Sequence, residues 1–274
     1  MIQKTFIQPG DPPRVGMICT LTLLILSVHV TAQRTGPPPT GTPQHEWIQS
    51  IQPPTGFLRS PVAPGSFGEY LRNLPLKIGN STVYLYNGEP KLNQSAQFAV
   101  VDMDVGNRDL QQCADAIIRL RAEYLYRNGR YDEIRFAFAR DGRPRYYTHY
   151  CRGDYSRGKF RSYLNWIFAY ANTASLNGEL QPVAPTADLQ IGDVFIQTGR
   201  PYGHAVIVVD LARHPKTGQK VFLLAQGFMP AQQIHVLKNP GYPNLNPWYP
   251  VDFGETLITP EWTFTKQDHR RFWE

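Results

Sequence analysis

The sequence has few cysteines and few charged residues, and these absences exclude several classes of protein. Its 274 residues include only three cysteines, too few for a disulfide-rich scaffold or for a zinc site built from cysteine alone. Charged residues make up 18% of the chain and hydrophobic residues 42%, a balance that excludes a fully disordered protein. The formal net charge is +6 without a dense run of lysine and arginine, so we expect no nucleic-acid partner.

Several motifs that indicate a nucleotide-binding site, a metal site or a serine nucleophile are also absent. The chain has no P-loop, no G-x-G-x-x-G after a strand, no H-E-x-x-H and no G-x-S-x-G. His149 and Cys151 offer two metal ligands, but no nearby residue completes a set. We therefore expect neither a metal nor an organic cofactor.

The N-terminal region has the pattern of a targeting segment. Residues 15–32 read VGMICTLTLLILSVHVTA, follow two basic residues and end in small residues that suit a cleavage site. This pattern predicts a secretory signal peptide over residues 1–32, whose removal leaves a net charge of +5. The alternative is an uncleaved membrane anchor, since the apolar run is just long enough to span a bilayer. We expect an exported protein, periplasmic or extracellular, with no stable membrane span after cleavage.

The rest of the chain divides by composition into a tether and one domain. Residues 33–65 are rich in proline, which predicts an extended tether, with Trp47 and Ile48 as possible docking points on the domain. Residues 66–274 are predicted to form a single domain. Hydrophobic patterns predict helices over 67–74, 109–127 and 160–176, and strands over 82–86, 98–101, 133–138, 193–197, 205–210, 221–225 and 233–237. This order predicts an α+β fold, with helices of the N-terminal half packed on an antiparallel sheet formed largely by the C-terminal half.

Three residues form a candidate catalytic group. Cys113 lies in the first turns of the predicted helix 109–127, where the helix dipole favours a thiolate. His204 opens one predicted strand and Gln226 closes the next, and a turn centred near Pro215 would place them opposite each other on one face. Gln226 would then hold one imidazole nitrogen while the other accepts the thiol proton. Two alternatives remain open for Cys113, which are a buried structural thiol and a disulfide with Cys151.

Four further residues are candidates for substrate contact. Gln112 precedes the candidate nucleophile, where either it or Gln111 would assist an oxyanion hole formed by the backbone N–H of Cys113. Tyr202 and Trp248 lie in loops rich in proline and glycine, where aromatic side chains can line a groove. Asp193 opens a predicted strand. The alternatives are ordinary loop packing for the two aromatic residues and a capping or pairing role for Asp193.

One segment resembles a known peptidase family. The run LQIGDVFIQTGRPYGHAVIVVDL, which begins at Leu189, resembles the histidine-bearing hairpin of NlpC-type cell-wall peptidases. These are papain-like cysteine peptidases that cut the peptide stems of peptidoglycan. The resemblance implies a papain-like fold, with Cys113 as nucleophile, His204 as base and Gln226 as the residue that orients the base. The family's usual Asp-Cys-Ser-Gly is replaced here by QCAD, and the long interval between Cys113 and His204 implies an insertion around residues 130–185.

A second resemblance covers most of the predicted domain. The blocks SFGEYLRNLPL, QQCADAIIRLRAEYLY, FAYANTASL, GHAVIVVDLA, FLLAQGFMPAQQIHVLKNP and TPEWTF resemble a numbered bacterial family of unknown function. That resemblance implies a bacterial exported protein and brings no activity with it.

The sequence thus leads to a principal function hypothesis and two alternatives. The first is a secreted cysteine hydrolase, a peptidase or amidase, that acts on amide bonds of cell-wall stem peptides. The second is a non-enzymatic exported binding domain that uses the same cleft. The third is an envelope structural protein held by a disulfide between Cys113 and Cys151.

Overall fold

The structure, a computed structural model, describes residues 45–184, 188–199 and 201–273. These residues belong to one compact unit. The predicted signal peptide and residues 33–44 of the predicted tether lie outside the described residues. The helices are α1 (Phe67–Arg72), α2 (Cys113–Arg127), α3 (Tyr147–Cys151), α4 (Arg157–Phe168) and α5 (Thr173–Glu179). The strands are β1 (Leu58–Arg59), β2 (Gln97–Val100), β3 (Arg135–Ala137), β4 (Pro144–Tyr146), β5 (Leu180–Pro182), β6 (Val194–Gln197), β7 (His204–Arg213), β8 (Lys220–Gln226), β9 (His235–Leu237), β10 (Tyr249–Pro250), β11 (Thr256–Ile258), β12 (Thr263–Thr265) and β13 (His269–Phe272).

A nine-stranded antiparallel sheet organises the fold. Its main path runs β2-β9-β8-β7-β6-β13-β5, while β1 pairs with β7 and β10 pairs with β8. Two small hairpins, β3–β4 and β11–β12, stand apart from it. Most of the strands come from the C-terminal half of the chain, so the mixed α+β class with a large antiparallel sheet is confirmed.

The two faces of this sheet are covered by different parts of the chain. Side chains alternate along a strand, so Ala205 and Ile207 of β7 face the core that contains α2 and the other helices. Val206 and Val208 face a second core that contains Phe264 of the β11–β12 hairpin. Because both faces are covered, β7 reads as an almost continuous apolar run rather than as an alternating one.

Helix α2 begins at Cys113, four residues later than the periodicity predicted. The backbone N–H of Gln112 donates to the Asp115 carboxylate (3.1 Å), which closes the first turn as a capping interaction. The helix ends at Asn128, and Gly129 then adopts a positive φ of 69°. Cys113 is therefore the first helical residue, where backbone N–H groups have no partner within the helix.

The predicted helix over 160–176 is wrong, because the chain forms two helices there. Asn172 interrupts the run: its side chain accepts from the Ser175 backbone N–H (3.0 Å), and the Ser175 hydroxyl accepts from the Asn172 N–H (3.0 Å). This reciprocal cap starts α5 and separates it from α4. The predicted strand over 82–86 is also absent as a strand, since only the isolated bridges Tyr84–Pro90 and Leu85–Gln232 form there.

The described part of the predicted tether packs on the domain. Ile48 and Ile51 are buried in the helix-side core. Strand β1 pairs with the end of β7, and the Trp248 indole N–H donates to the Gln52 carbonyl (2.9 Å). The folded region thus includes residues that composition alone assigned to the tether. Within the described ranges, no helix has the length and apolar character needed to cross a membrane.

Candidate active site

The three candidate catalytic residues occupy the ends of three neighbouring elements. Cys113 is the first residue of α2, His204 the first of β7 and Gln226 the last of β8. All three side chains are buried, and His204 has no exposed surface. Buried side-chain nitrogens nearly always have a hydrogen-bond partner or a catalytic role. The contacts of the two His204 ring nitrogens therefore indicate what chemistry the site can perform.

His204 and Gln226 are in contact, although the predicted register is wrong. The sequence predicted that they lie directly opposite each other, but Ile207 pairs with Ala225 and Val208 with Leu224. The observed register differs from the predicted one by two residues, and an even shift keeps both side chains on the same face. The Nε2 atom of His204 lies 2.8 Å from Oε1 of Gln226.

Cys113 contacts the backbone of the two residues that flank His204 in the chain. Its Sγ lies 3.8 Å from the Gly203 carbonyl oxygen and also accepts from the Ala205 N–H. The thiol therefore touches the chain on both sides of His204. Helix α2 packs on the sheet face of Ala205, whereas the imidazole lies on the other face beside Phe264. Nδ1 of His204 is buried and has no hydrogen-bond partner in the described part of the chain.

Aromatic side chains enclose the imidazole on the face away from α2. The His204 ring centroid lies 4.9 Å from that of Phe228, 5.3 Å from that of Trp262 and 5.9 Å from that of Phe264. Trp262 is fixed in turn, because its indole N–H donates to Oε1 of Gln197 (2.9 Å). The segment that joins β11 to β12 therefore covers His204.

Burial sets the protonation of the site at neutral pH. Loss of solvent raises the pKa of the Cys113 thiol to about 11, and the nearby Asp115 carboxyl adds to the rise. Bonds from the N–H groups of Ala114 and Ala205 oppose this shift without reversing it. The predicted thiolate is therefore wrong for the resting state, because desolvation outweighs the helix dipole. Burial also lowers the pKa of His204 to about 4, although the bond to Gln226 opposes that shift. The resting pair is a neutral thiol and a neutral imidazole.

Gln226 belongs to a buried polar network that the sequence did not predict. Its Nε2 lies 2.8 Å from Oε2 of Glu261 and 3.3 Å from Nε2 of His235. Glu261 also accepts from the Lys91 ammonium (2.5 Å) and from the Asn93 amide (3.1 Å). Lys91 and Glu261 are 170 positions apart in the sequence and belong to no recognised motif. The only available signal was the position of Glu261 beside Trp262 in the TPEWTF block.

The four predicted substrate-contact residues have different surroundings. Gln112 caps α2, and its side-chain amide donates to Asp109 (3.0 Å). Tyr202 is 63% exposed and lies two residues before His204, so it remains available to a ligand. Trp248 is only 1% exposed and packs in the core, which contradicts its predicted place in an open groove.

Asp193, the fourth residue predicted to contact substrate, is buried and paired with other side chains. Its carboxylate is buried and accepts from His269 (2.7 Å), from Arg271 (2.6 and 2.8 Å) and from the Gln190 N–H (2.8 Å). These contacts tie the start of β6 to β13. Burial by itself would raise the pKa of Asp193, but the hydrogen bonds from Arg271 and His269, together with the charge of His269, outweigh it and hold the pKa below its usual value. Asp193 therefore joins two strands, which corrects the expectation that it contacts substrate.

Metal and disulfide chemistry find no support among the described residues. They contain no group of three or more histidine, cysteine or acidic side chains arranged to hold a metal ion. Cys113 and Cys151 are separate buried thiols. The predicted alternative of a disulfide between them is not formed in this structure.

Comparison with known proteins places the chain in a family without assigning it an activity. A search of curated proteins and a search of solved structures each found no match. A family model described as a domain of unknown function (4846) matches residues 48–156 and 145–271, which together cover most of the chain. The match includes Cys113, His204, Gln226 and Glu261. The chain therefore belongs to the family that is described as domain of unknown function 4846.

Proposed function

We propose that this protein is a cysteine hydrolase that cleaves amide bonds, with Cys113 as nucleophile, His204 as base and Gln226 as the residue that orients His204. The observation that carries the proposal is the meeting of three elements at one point. A thiol at the start of α2 touches the backbone on both sides of His204, and the imidazole has one nitrogen held by Gln226 and the other without a partner. A buried, unsatisfied ring nitrogen costs about 1–3 kcal/mol, so its retention in a residue whose neighbours in the chain contact the Cys113 thiol favours a chemical role.

The reaction follows from the neutral resting pair. As Sγ of Cys113 attacks the substrate carbonyl carbon, Nδ1 of His204 accepts the thiol proton. The C–N bond then breaks, and the imidazolium gives that proton to the leaving amine, which leaves an acyl group on Sγ. Water attacks this thioester, His204 accepts a proton from the water, and the carboxylic acid product departs as the thiol is restored.

The negative charge that develops on the carbonyl oxygen needs a donor near Sγ. The backbone N–H of Cys113 at the start of α2 is suited to this task, because it lies at the positive end of the helix. The side-chain amide of Gln112 is occupied, because it donates to Asp109. Gln111 differs, since Arg119 contacts only its Oε1 and its buried Nε2 has no hydrogen-bond partner among the described residues. We therefore assign oxyanion stabilisation to the backbone N–H of Cys113, with the Gln111 NH₂ group as a second candidate donor.

We propose peptidoglycan stem peptides as the substrate class and the periplasm or cell exterior as the location. The support is the resemblance of the His204 hairpin to that of NlpC-type peptidases, together with the signal-like N-terminus and the net positive charge.

A second candidate function is a non-enzymatic binding domain of the cell envelope. Two observations favour it: His204 is fully enclosed, and its ring lies on the sheet face opposite to α2. In a binding domain, Cys113 would be a core thiol, and the network around Gln226 would stabilise the fold.

Alkylation of Cys113 across pH separates the two candidates. At pH 7 we expect iodoacetamide to label Cys113 about 100-fold faster in the wild-type protein than in His204→Ala, because the base removes the thiol proton. Near pH 11 the two rates should converge, because the thiol, with a pKa of about 11, ionises without help. The rates are read by mass spectrometry of the Cys113 peptide.

Two controls accompany this measurement. The exposed His149 provides the matched variant His149→Ala, which should label like wild type. Cys151, a second buried thiol in the same molecule, reports any general loosening of the fold. Equal labelling of Cys113 in wild type and His204→Ala at pH 7 would favour the binding domain.

A further inference from the structure

The orientation of the Gln226 amide decides which nitrogen of His204 carries the proton. An amide presents an oxygen that accepts and an NH₂ group that donates, and its two ends are distinguished by their partners. Glu261 accepts from the Lys91 ammonium and from the Asn93 amide, both of which act only as donors in these contacts. The Glu261 oxygens are thus acceptors toward all their partners, so the Gln226 atom that faces Glu261 must be the donating NH₂.

His235 requires the same orientation of Gln226. Nδ1 of His235 lies 2.9 Å from the Gln233 carbonyl oxygen, which can only accept, so this nitrogen carries the proton. Nε2 of His235 is then an acceptor, and it lies 3.3 Å from the Gln226 NH₂ group. Two independent acceptors therefore direct the NH₂ group away from His204.

The consequence for His204 follows directly. Gln226 presents its oxygen to Nε2 of His204, so Nε2 must donate and carry the ring proton. Nδ1 is then unprotonated, and it is the nitrogen that has no partner. This tautomer leaves the basic lone pair free for a thiol proton.

We propose that Glu261 is a positioning residue for the candidate active site, which acts through Gln226 to fix His204 in the tautomer with a free Nδ1. This inference rests on the proposed function. Lys91 contributes by holding the Glu261 carboxylate. The connection between β11 and β12, which carries Glu261 and Trp262, is therefore part of the site although it lies far from Cys113 in sequence.

Replacement of Glu261 alone by glutamine should keep this orientation. Lys91 and Gln226 both donate to Oε2 of Glu261, whereas Asn93 donates to Oε1, so the new carbonyl oxygen stays on the side of Lys91 and Gln226. Reversal requires that Lys91 and His235 no longer act on the network. In the triple variant Lys91→Met/His235→Leu/Glu261→Gln, Asn93 holds the new carbonyl oxygen and the new NH₂ group faces Gln226. The Gln226 amide then turns its own NH₂ group toward His204, so the ring proton moves to Nδ1 and the base is lost.

The test is the tautomer of His204, read by ¹⁵N–¹H correlation spectra of the full chain labelled with ¹⁵N-histidine. His204→Gln identifies the His204 signals by their loss. We expect wild-type His204 to carry its proton on Nε2, and the triple variant to place it on Nδ1. Cys113 alkylation at pH 7 should fall about tenfold in the triple variant.

A matched control and a second variant make the test decisive. Glu255→Gln changes an exposed carboxylate one residue before β11 and should alter neither the tautomer nor the alkylation rate. The triple variant removes the charges of Lys91 and Glu261 together, so neither is left buried and unpaired. The single variant His235→Leu keeps Glu261 as an acceptor for the Gln226 NH₂ group, and it should keep the proton on Nε2.

The outcomes separate this inference from the proposed function. A wild-type ring protonated on Nδ1 would overturn the inference, and so would a folded triple variant that keeps the proton on Nε2 or a folded His235→Leu variant that loses it. Neither result bears on whether Cys113 depends on His204. Conversely, alkylation of Cys113 that is unchanged in His204→Ala would refute the proposed function and leave the tautomer assignment intact.

Discussion

Cys113→Ala is expected to abolish cleavage of peptidoglycan stem peptides. Removal of the nucleophile should lower kcat by about 10⁴-fold or more, because the remaining residues cannot form the thioester. The measurement is the release of new amino termini from purified muropeptides, quantified by mass spectrometry. Wild-type cleavage that persists undiminished in Cys113→Ala would contradict the proposed role.

Cys151→Ala is the matched control for this experiment. Cys151 is also a free, buried thiol, but it ends α3 rather than starting α2. We expect Cys151→Ala to retain cleavage, and thermal unfolding of both variants to show that the fold is intact. A loss of activity shared by the two variants would indicate a packing defect instead of chemistry.

Asp210→Asn is expected to lower the free energy of unfolding by about 3–5 kcal/mol, because it removes the negative partner of two arginines in the interior. Asp210 is fully buried at the irregularity in β7, and its carboxylate accepts from Arg59 (2.6 Å), from Arg72 (2.7 Å) and from the Leu211 N–H (2.8 Å). These contacts join β1, α1 and β7. Urea denaturation of the two proteins measures the difference.

The same substitution at an exposed site provides the control. Asp188 is 83% exposed and pairs with Lys220 (2.7 Å). Water and salt screen such a pair, so Asp188→Asn should change the free energy of unfolding by less than about 1 kcal/mol. Equal effects of the two substitutions would show that the Asp210 cluster contributes no more to stability than a surface ion pair.

Local signals in the sequence were sufficient for the elements that carry Cys113, His204 and Gln226. The apolar stripe of α2 and the β-branched runs of β7 and β8 predicted a helix and two adjacent strands. The contact between His204 and Gln226 depends only on strand parity. It therefore survived an error of two residues in the register. The turn spans residues 214–219 rather than being centred on Pro215, which moves the register by three residues, and the irregularity between Val208 and Asp210 moves it back by one.

Features that depend on tertiary packing were not accessible from the sequence. Trp248 was predicted to be exposed because its loop is rich in proline. In the structure its indole N–H lies in the core and donates to the carbonyl of Gln52, a residue of the predicted tether. The capping pair of Asn172 and Ser175 was obscured by the aromatic residues that precede it. Glu261 reaches Gln226 only because the β11–β12 hairpin folds back on the sheet, and no local pattern encodes that approach.

The chemical state of the site was the least predictable property. Position alone predicted a thiolate at Cys113, because the start of a helix stabilises negative charge. The structure adds burial and the neighbouring Asp115, which together raise the pKa to about 11. Desolvation can shift a buried group by several pKa units, whereas a helix terminus contributes at most about 2 kcal/mol. The base must therefore remove the thiol proton during the attack.

The most direct test of the central claim is the intact mass of the protein during reaction with a defined peptidoglycan stem peptide. We predict an increase in mass equal to the acyl portion of the substrate, located on Cys113 and released by hydroxylamine, since the proposed reaction passes through a thioester. The adduct should be absent from Cys113→Ala. Cleavage of the peptide without any adduct on Cys113, under rapid acid quenching, would contradict the account.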